Sequence, residues 1–376
     1  MRPPILHAVR GVRLQRRVDA PRWLSVAVPV GSFIGALLVG AAVIALSGND
    51  PLDTYQRIVE RGFTSEGAFS ATLTAATPLL FTGLAAAAAF RMDLFNIGGE
   101  GQFIMGAVAS SWVGLQLGDD LGVGAIPLMV LAGIVGGAIW ASIPGILRAF
   151  ASTNEIITSL MLNYVAGLFA SYLIFNSHSY WRSFEGTGKV FPQGKLLPLE
   201  AWWDPVELGG LSIPLGYLIG IAAAIVVWLL YRTTRFGFEL RVIADSPGAA
   251  RYAGMRNRRK VVAVMGLSGA LAGIGGASDI GDVRHVLDPK GLSQAGYGYA
   301  GIVVAALARL NPLAVVPVSI LLGGLANAGR ALQGPDFPAG LVGTLEGLIL
   351  FFTLGGEVLA RYRVHRVRPH TVGAAA

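Results

Sequence analysis

The chain has 376 residues, of which 53% are hydrophobic and only 14% are Asp, Glu, Lys or Arg, and its mean hydropathy is +0.60. Soluble domains carry about 25% charged residues, so this composition excludes a soluble globular protein and indicates a polytopic membrane protein. The net charge of +7 does not indicate nucleic-acid binding, because Arg and Lys cluster at the ends of apolar runs, where cytoplasmic loops and anionic lipid favour them.

The N-terminal stretch Met1–Arg22 holds six Arg and one acidic residue, and an apolar run from Trp23 to Leu46 follows it. A cleavable signal peptide has an apolar core of about 7–15 residues. The longer run therefore predicts an uncleaved first span whose start lies in the cytoplasm.

Ten apolar segments are candidates for membrane-spanning helices, each of which needs about 20 residues. Ten crossings would place both termini in the cytoplasm, and about three quarters of the 29 Lys and Arg would then lie inside, as the positive-inside rule expects. The eighth segment is short, and Leu310-Asn311-Pro312 separates it from the ninth, so a broken or re-entrant helix is expected there. We predict an all-α bundle of about ten (8–10) spans. The bundle forms one transmembrane domain, 24–357, between cytoplasmic tails 1–23 and 358–376. Its ten predicted spans are 24–47, 69–90, 97–117, 123–147, 155–175, 213–231, 261–280, 296–309, 312–330 and 339–357.

The third span begins with Phe95–Gln102, a glycine-rich stretch that contains Asn96, Glu100 and Gln102. Ionisable groups at membrane depth are costly and usually face the bundle interior. Glu100 and Gln102 lie about 200° apart on an ideal helix, so both cannot face one cavity without a bend. For Glu100 the alternative to a functional role is a position at the interface, paired with Arg91 or another base.

The fifth span carries a stripe of polar and small residues at i, i+4 spacing, namely Glu155, Ser159, Asn163 and Gly167. Such a stripe faces partner helices or a path through the bundle. Glu155 stands at the helix start, where the helix dipole favours an acidic side chain. In the last span Glu346 lies at mid-membrane, as a hydrogen-bonded structural acid or as a solute contact. Small-residue pairs at Gly133/Gly137 and Gly269/Gly273 predict close helix packing.

The external segment Asn176–Ser212 contains Trp181, Trp202 and Trp203, which we interpret as an interfacial aromatic belt in preference to a ligand-binding loop. Within it, Gly186–Lys189 resembles the end of a phosphate loop, but the required flanking Gly and Ser/Thr are absent. No catalytic set, paired metal-ligand spacing or Cys is present in the sequence, so we expect neither an enzyme nor a bound cofactor or metal.

The hydrophilic stretch Arg232–Lys260 separates two apolar runs and carries eight Lys and Arg against two acidic residues. Ser246-Pro247 opens a short helix and Gly254 closes it, because Ser is a good N-cap, Pro suits the first turn and Gly suits the left-handed stop. The enclosed helix is about 10 Å long. It is a candidate docking piece, and the alternative is a basic loop that only fixes orientation in the membrane.

Four of these motifs together resemble the nucleoside and simple-sugar branch of bacterial ABC-transporter permeases, the family of branched-chain amino acid and ribose permeases. They are FNIGGEGQFIMGA (95–107), TNEIITSLMLNY (153–164), LRVIADSPGAARYAGM (240–255) and YGYAGIVVAALARLNPLAVV (297–316). The likeness covers most of Gly67–Gly355 in order and spacing.

The resemblance implies the multi-pass permease subunit of an ATP-driven importer in the bacterial cytoplasmic (inner) membrane. It implies that a separate cytoplasmic ABC ATPase binds ATP and Mg, that a second related permease forms a heterodimer with this chain, and that a substrate-binding lipoprotein or periplasmic binding protein delivers the solute. The family commonly has Asn where this chain has Asp245, which we expect to cap the coupling segment as well. That segment maps onto Asp245, Ser246, Pro247, Gly248, Ala249, Ala250, Arg251, Tyr252, Ala253 and Gly254. The solute path is expected to include Asn96, Glu100, Gln102, Asn163, Tyr164 and Glu346.

Two other functions compete with this interpretation. A proton-coupled secondary transporter of a small polar solute would use Glu100 or Glu346 as its proton site, but no clear inverted repeat relates the halves of the chain. A membrane-embedded enzyme would need acidic or His groups in an interfacial loop, and the sequence has only scattered ones.

Overall fold

A computed structural model of the protein describes residues 12–16, 23–176, 179–185, 188, 191–332 and 340–366. Most of these residues are helical. Short strands form two antiparallel pairs, Val12–Arg16 with Tyr362–Arg366 and Val206–Leu208 with Leu211–Ile213. The helices are α1 (Leu24–Leu46), α2 (Pro51–Val59), α3 (Ala68–Phe90), α4 (Gly99–Leu121), α5 (Ala125–Ala151), α6 (Glu155–Phe175), α7 (Leu215–Thr233), α8 (Arg235–Asp245), α9 (Pro247–Tyr252), α10 (Asn257–Ser278), α11 (Pro289–Ala295), α12 (Tyr297–Leu307), α13 (Pro312–Ala331) and α14 (Leu341–Arg361), and the strands are β1 (Val12–Arg16), β2 (Val206–Leu208), β3 (Leu211–Ile213) and β4 (Tyr362–Arg366).

The chain forms two compact units, one of Met1–Leu52 with Gly343–Ala376 and one of Asp53–Val342. In the first unit α1 packs against α14, where a Cβ built on Gly35 would lie 2.9 Å from the Phe352 ring. The second unit contains α3 to α13 and all the residues that position the candidate sites. The single domain 24–357 stays a prediction.

The centre of the larger unit is formed by α3 and α10, which are buried along most of their length. Both are rich in Ala and Gly, and a helix without a polar face is stable only when other helices surround it. Around them, α5 and α6 expose a series of large apolar side chains, as expected for helices that face lipid on one side.

The two predicted small-residue pairs pack against each other. A Cβ on Gly137 would lie 2.8 Å from Gly273 Cα, and a Cβ on Gly133 would lie 2.7 Å from the Gly273 carbonyl oxygen. The backbones of α5 and α10 are therefore in direct contact, which only glycine permits. The interpretation of these pairs as packing signals is confirmed.

Six stretches of the described residues are long and apolar enough to cross a membrane, or seven if Val30–Leu46 and Pro51–Thr64 together make one span. One of the six, Gly99–Ala151, contains both α4 and α5, which run antiparallel in contact at Gly136 and Met105 and again at Gly114 and Met129. If it were straight, its 53 residues would extend about 80 Å, far more than the hydrocarbon core. The predicted total of about ten spans is not confirmed.

The predicted interruption at Leu310-Asn311-Pro312 is present, and a second break precedes it at Gly296. Gly296, with φ of +63°, separates the short helices α11 and α12, and α12 is only about 16 Å long. Arg309 and Leu310 both have positive φ, and they turn the chain into α13, where Asn311 is the N-cap. A helix as short as α12 cannot cross the bilayer by itself.

The tryptophans of the external segment pack onto the end of the bundle. Trp203 is 2% exposed and lies against Gly281, Trp202 stacks on His285 with ring centroids 3.7 Å apart, and Trp181 donates a hydrogen bond to Ser111. The prediction of an interfacial belt is therefore wrong for Trp203, which folds into the core beneath its own loop. Gly186, Thr187 and Lys189 lie outside the described residues.

The close contact of α10 with α4 predicts the effect of one added methyl group. A Cβ on Gly276 would collide with the Phe103 carbonyl oxygen, whereas one on Gly266 of the same helix would meet only Ser142 Oγ at 3.5 Å. We expect Gly276→Ala to destabilise the protein by about 1–2 kcal/mol, because overpacking outweighs the gain in helix propensity. Denaturant titration of the purified protein measures it, and Gly266→Ala is the control, with unchanged or higher stability.

Candidate functional sites

Two helices begin inside the bundle, and their first turns lie against each other. A Cβ on Gly99, at the start of α4, would lie 3.5 Å from the Cα of Gly298 in the first turn of α12. The first four N–H groups of a helix have no partner within it. These N–H groups lie inside the bundle, where water is scarce, so side chains must accept hydrogen bonds from them.

Asn96 and Gln102 bridge the segment before α4 to the centre of the bundle. Each amide donates to the other at 2.9 Å, and Asn96 also donates to Ser268 Oγ of α10 at 2.9 Å. Ser268 in turn donates to the Ala85 carbonyl of α3 at 2.7 Å. These three polar side chains are at most 3% exposed, so one closed network joins α3, α4 and α10.

Asn163 on α6 binds the start of α4 with both ends of its side-chain amide. Its Oδ1 accepts from the Gly101 N–H at 2.9 Å, and its Nδ2 donates to the Ile97 carbonyl at 2.9 Å and to the Tyr299 hydroxyl at 3.2 Å. One turn earlier, Ser159 Oγ accepts from the Ile97 N–H at 3.2 Å. The predicted polar stripe of this helix therefore faces partner helices.

Glu100 caps α12. Its Oε2 accepts from the Gly298 N–H at 2.6 Å, its side chain is 4% exposed, and Oε1 has no partner among the described residues. The alternative of an interfacial Glu100 paired with Arg91 or another base is wrong, because Glu100 is buried, no ion pair of the described residues includes it, and the Arg91 guanidinium lies 5.3 Å from the Tyr231 ring centroid. Glu100 and Gln102 contact different neighbours, as their angular separation predicted.

The six residues predicted for the solute path are in three different environments. Asn96, Glu100, Gln102 and Asn163 are buried and make the three sets of hydrogen bonds described above. Tyr164 is 63% exposed and points away from them. Glu346 lies within α14, and its side chain is outside the described residues.

The hydrophilic stretch contains the predicted short helix as α9. Ser246 Oγ accepts from the Ala249 N–H at 3.3 Å, Pro247 occupies the first turn, and Gly254 has φ of +75°. Asp245 does not cap this helix: it is the last residue of α8, and Ser246 is the N-cap. The reason is that the chain leaves helical geometry one residue later than the resemblance implied.

Most of α9 faces outward. Ala250 is fully buried, whereas the other residues from Ser246 to Gly254 are exposed, and Tyr252 is 98% exposed. The helix ends in a Schellman motif, in which the Met255 N–H donates to the Ala250 carbonyl and the Gly254 N–H to the Arg251 carbonyl. A short helix held at both ends thus projects a large aromatic side chain.

Glu239 fixes α8, which leads into α9, to the start of α10. Its carboxylate accepts from Lys260 at 2.7 Å and from Arg235 at 2.9 Å, and Asn257 of α10 donates to the Pro247 carbonyl at 3.1 Å. The hydrogen bond from Lys260, followed by that from Arg235, holds the pKa of Glu239 below its ordinary value. A lowered acid pKa stabilises the folded protein at neutral pH, and this contribution is lost only when the pH falls through that pKa.

Two residues of the polar networks, Ser268 and Gly298, were not predicted from the sequence. Gly298 lies in the fourth of the motifs that resemble the permease family. The sequence indicated nothing of its role beyond a glycine in a segment that was expected to be broken. Ser268 comes directly before Gly269, and helix packing alone explains the presence of that glycine. Among the described residues no group of three or more His, Asp and Glu could hold a metal ion.

Comparison with known proteins places this architecture in a family. The sequence profile of the family described as "Branched-chain amino acid transport system / permease component" matches residues 68–354. The chain is 35% identical to the glucose ABC transporter permease protein TsgB13 of Haloferax volcanii, over 94% of this chain and 93% of the relative. It is 30% identical to the nucleoside ABC transporter permease protein NupB of Lactococcus lactis (87% and 90% covered) and 34% identical to the guanosine ABC transporter permease protein NupP of Bacillus subtilis (86% and 92%). Bacillus subtilis also has a more distant relative with the same description, NupQ.

The cap on α12 predicts different outcomes for two substitutions of Glu100. Glu100→Leu leaves the buried Gly298 N–H without an acceptor and should cost about 2 kcal/mol of stability, whereas Glu100→Gln keeps an acceptor oxygen and should cost less than about 1 kcal/mol. Denaturant titration of the purified variants measures both. Equal losses would contradict the capping role.

Proposed function

The chain belongs to the family of branched-chain amino acid transport system permease components, and from that premise we propose that it is the membrane-spanning permease subunit of an ATP-driven importer of a nucleoside or a simple sugar. The observation that carries the proposal is the exposed α9 with its Tyr252. Tyr252 is 98% exposed on a short helix that is fixed at both ends, and tyrosine is among the residues that dominate protein interfaces.

The partner on α9 is proposed to be a cytoplasmic ABC ATPase on a separate chain, which would bind ATP and Mg. Chemistry in this chain is not needed for the cycle. ATP-driven closure of the ATPase would push α9, and the contacts of Glu239 and Asn257 would pass the displacement to α10. Because α10 is packed on α3, α4 and α5, the bundle would move as one body between outward-facing and inward-facing states.

Two further partners belong to the proposal. Bacillus subtilis has two relatives of this chain with the same solute in their names, which supports pairing with a second, related permease in a heterodimer. A lipoprotein or periplasmic binding protein would deliver the solute from outside. Both termini and α9 would then lie in the cytoplasm, and Asn176–Ser212 would face outward.

The solute class rests on the relatives, two named for nucleosides or guanosine and one for glucose. Such solutes carry several hydroxyls and need polar or aromatic contacts once they leave water. The buried Asn96, Glu100, Gln102 and Asn163 already bind each other or the backbone, so we propose that they form the wall of the path, while Tyr164 contacts the solute; Glu346 is retained as a further path residue.

At Glu100 the geometry favours this interpretation over a proton-coupled carrier. A carrier needs a carboxyl group that exchanges its proton during each cycle, whereas Glu100 is bound to the first turn of α12. If transport were proton-coupled at this residue, Glu100→Gln would abolish uptake and an uncoupler would do the same in the unmodified protein.

The docking role of α9 predicts a loss of uptake when Tyr252 is truncated. We expect Tyr252→Ala to reduce ATP-dependent uptake by about tenfold or more, as is common for aromatic interface anchors, with normal membrane insertion because the side chain is almost fully exposed. Uptake of labelled guanosine and glucose by membrane vesicles measures it. Tyr172→Ala, at a 61% exposed aromatic of α6 outside α9, is the control; a loss of the same size there would contradict the docking role.

The solute path predicts a second difference, between two exposed tyrosines of α6. Tyr164→Ala should raise the KM for uptake by roughly fivefold, the effect of losing about 1 kcal/mol of aromatic contact. Tyr172→Ala, two turns further along and 61% exposed, should leave the KM unchanged. Equal effects would assign both residues to packing against lipid or a partner.

A further inference from the structure

Three arginines surround one cavity of about 270 Å³ at the end of α7 that we predict to be cytoplasmic. Arg91 comes from the end of α3, Arg232 from the end of α7 and Arg241 from α8, and Asn311 closes the fourth side. Among the described residues that line the cavity there is no Asp or Glu. None of the three arginines forms an ion pair with another residue in the described part of the chain. The cavity is therefore positively charged, and its described lining supplies no counter-ion.

Aromatic rings hold two of these side chains in place. The Arg232 guanidinium lies 4.9 Å from the Trp228 ring centroid, and that of Arg91 lies 5.3 Å from the ring of Tyr231. The Tyr231 hydroxyl is itself fixed by donating to the Ala88 carbonyl at 3.0 Å. A guanidinium stacked on a ring keeps its N–H edge free, and that edge matches the oxygens of a phosphate.

The cavity adjoins an exposed apolar stripe of α7. Ile225, Trp228 and Arg232 follow one another at i, i+3 and i+7, so they lie on one stripe of α7. Ile225 is 45% exposed, and its neighbour Leu229 is 43% exposed. Trp and Arg at the end of a spanning helix are typical of the headgroup level of a bilayer, with the apolar surface below them at acyl-chain depth.

We propose that this cavity binds the phosphate of an anionic phospholipid of the cytoplasmic leaflet, with an acyl chain along the Ile225 face of α7. Three guanidiniums without an acidic partner among the described residues would recognise the phosphate, and the adjoining apolar stripe distinguishes a lipid from a free anion or an acidic protein side chain. The bound lipid would join α3, α7, α8 and the turn before α13. This assignment does not rest on the transport function.

The test is the retention of lipid by the purified full-length chain in native mass spectrometry. Phosphatidylglycerol and phosphatidylcholine, matched in acyl chains, are added at equal concentration. We expect one phosphatidylglycerol to be retained in preference, and the preference to fall as salt is raised. Equal retention of both lipids overturns the proposal, and so does competition by inorganic phosphate alone that matches competition by phosphatidylglycerol.

Substitutions then locate the site. Arg232→Gln combined with Arg241→Gln should weaken phosphatidylglycerol binding by about thirtyfold, at roughly fivefold per charge near a membrane surface. The matched control is Arg256→Gln combined with Arg258→Gln, which removes two charges from the same side of the protein but outside this cavity. Equal weakening in the two double variants overturns the proposal. Arg232→Lys with Arg241→Lys keeps both charges but removes the guanidinium edges, so it should weaken phosphatidylglycerol binding less than the Gln double variant does; equal weakening in the Lys and Gln variants overturns the proposal that the charges recognise the phosphate.

Discussion

The structure depends on one constraint: a helix that begins in the buried interior of the bundle has N–H groups that water cannot reach. Both α4 and α12 begin there, and the side chains that satisfy them come from other helices. Asn163 of α6 binds the first turn of α4, and Glu100 of α4 binds the first turn of α12. Removing an acceptor would leave a buried donor unsatisfied, which costs more than the bond itself contributes. The polar residues that the sequence predicts to line a solute path therefore also hold the first turns of α4 and α12 in place.

Close backbone contact is the second condition for this arrangement. Polar side chains as short as Asn and Ser reach across a helix interface only if the helices nearly touch, and Gly137, Gly273 and Gly276 allow that approach. Lipid offers little hydrophobic drive for helix association, so packing and interhelical hydrogen bonds must supply it. The two conditions support each other, because each hydrogen bond fixes the register that the glycines require.

The end of the bundle that carries α8 and α9, which we propose to be cytoplasmic, is stabilised by different interactions. Here the residues are exposed, charges are paired in water, and the short α9 is held by caps and by its link to α10 and not by burial. A helix that binds a partner protein is expected to be rigid and to leave most of its surface exposed. Ala250 is the only buried residue from Ser246 to Gly254, so α9 meets the second expectation. The neighbouring cavity of three arginines adds a positively charged surface. The proposed docking and lipid sites thus share one face of the molecule, and the buried networks lie deeper in the bundle.

The apolar segments, the capped helix at 246–254, the break at 310–312 and the packing role of the glycine pairs could all be predicted from the sequence, because each depends on local composition or on spacing along one helix. The sequence did not reveal that Ser268 and Gly298 complete the networks, that Glu100 caps a helix 198 residues away instead of pairing with Arg91, or that Trp203 is buried. Those outcomes depend on which helices become neighbours. Hydrogen-bond partners and burial at depth are properties of contacts between distant segments, and only the tertiary structure decides them.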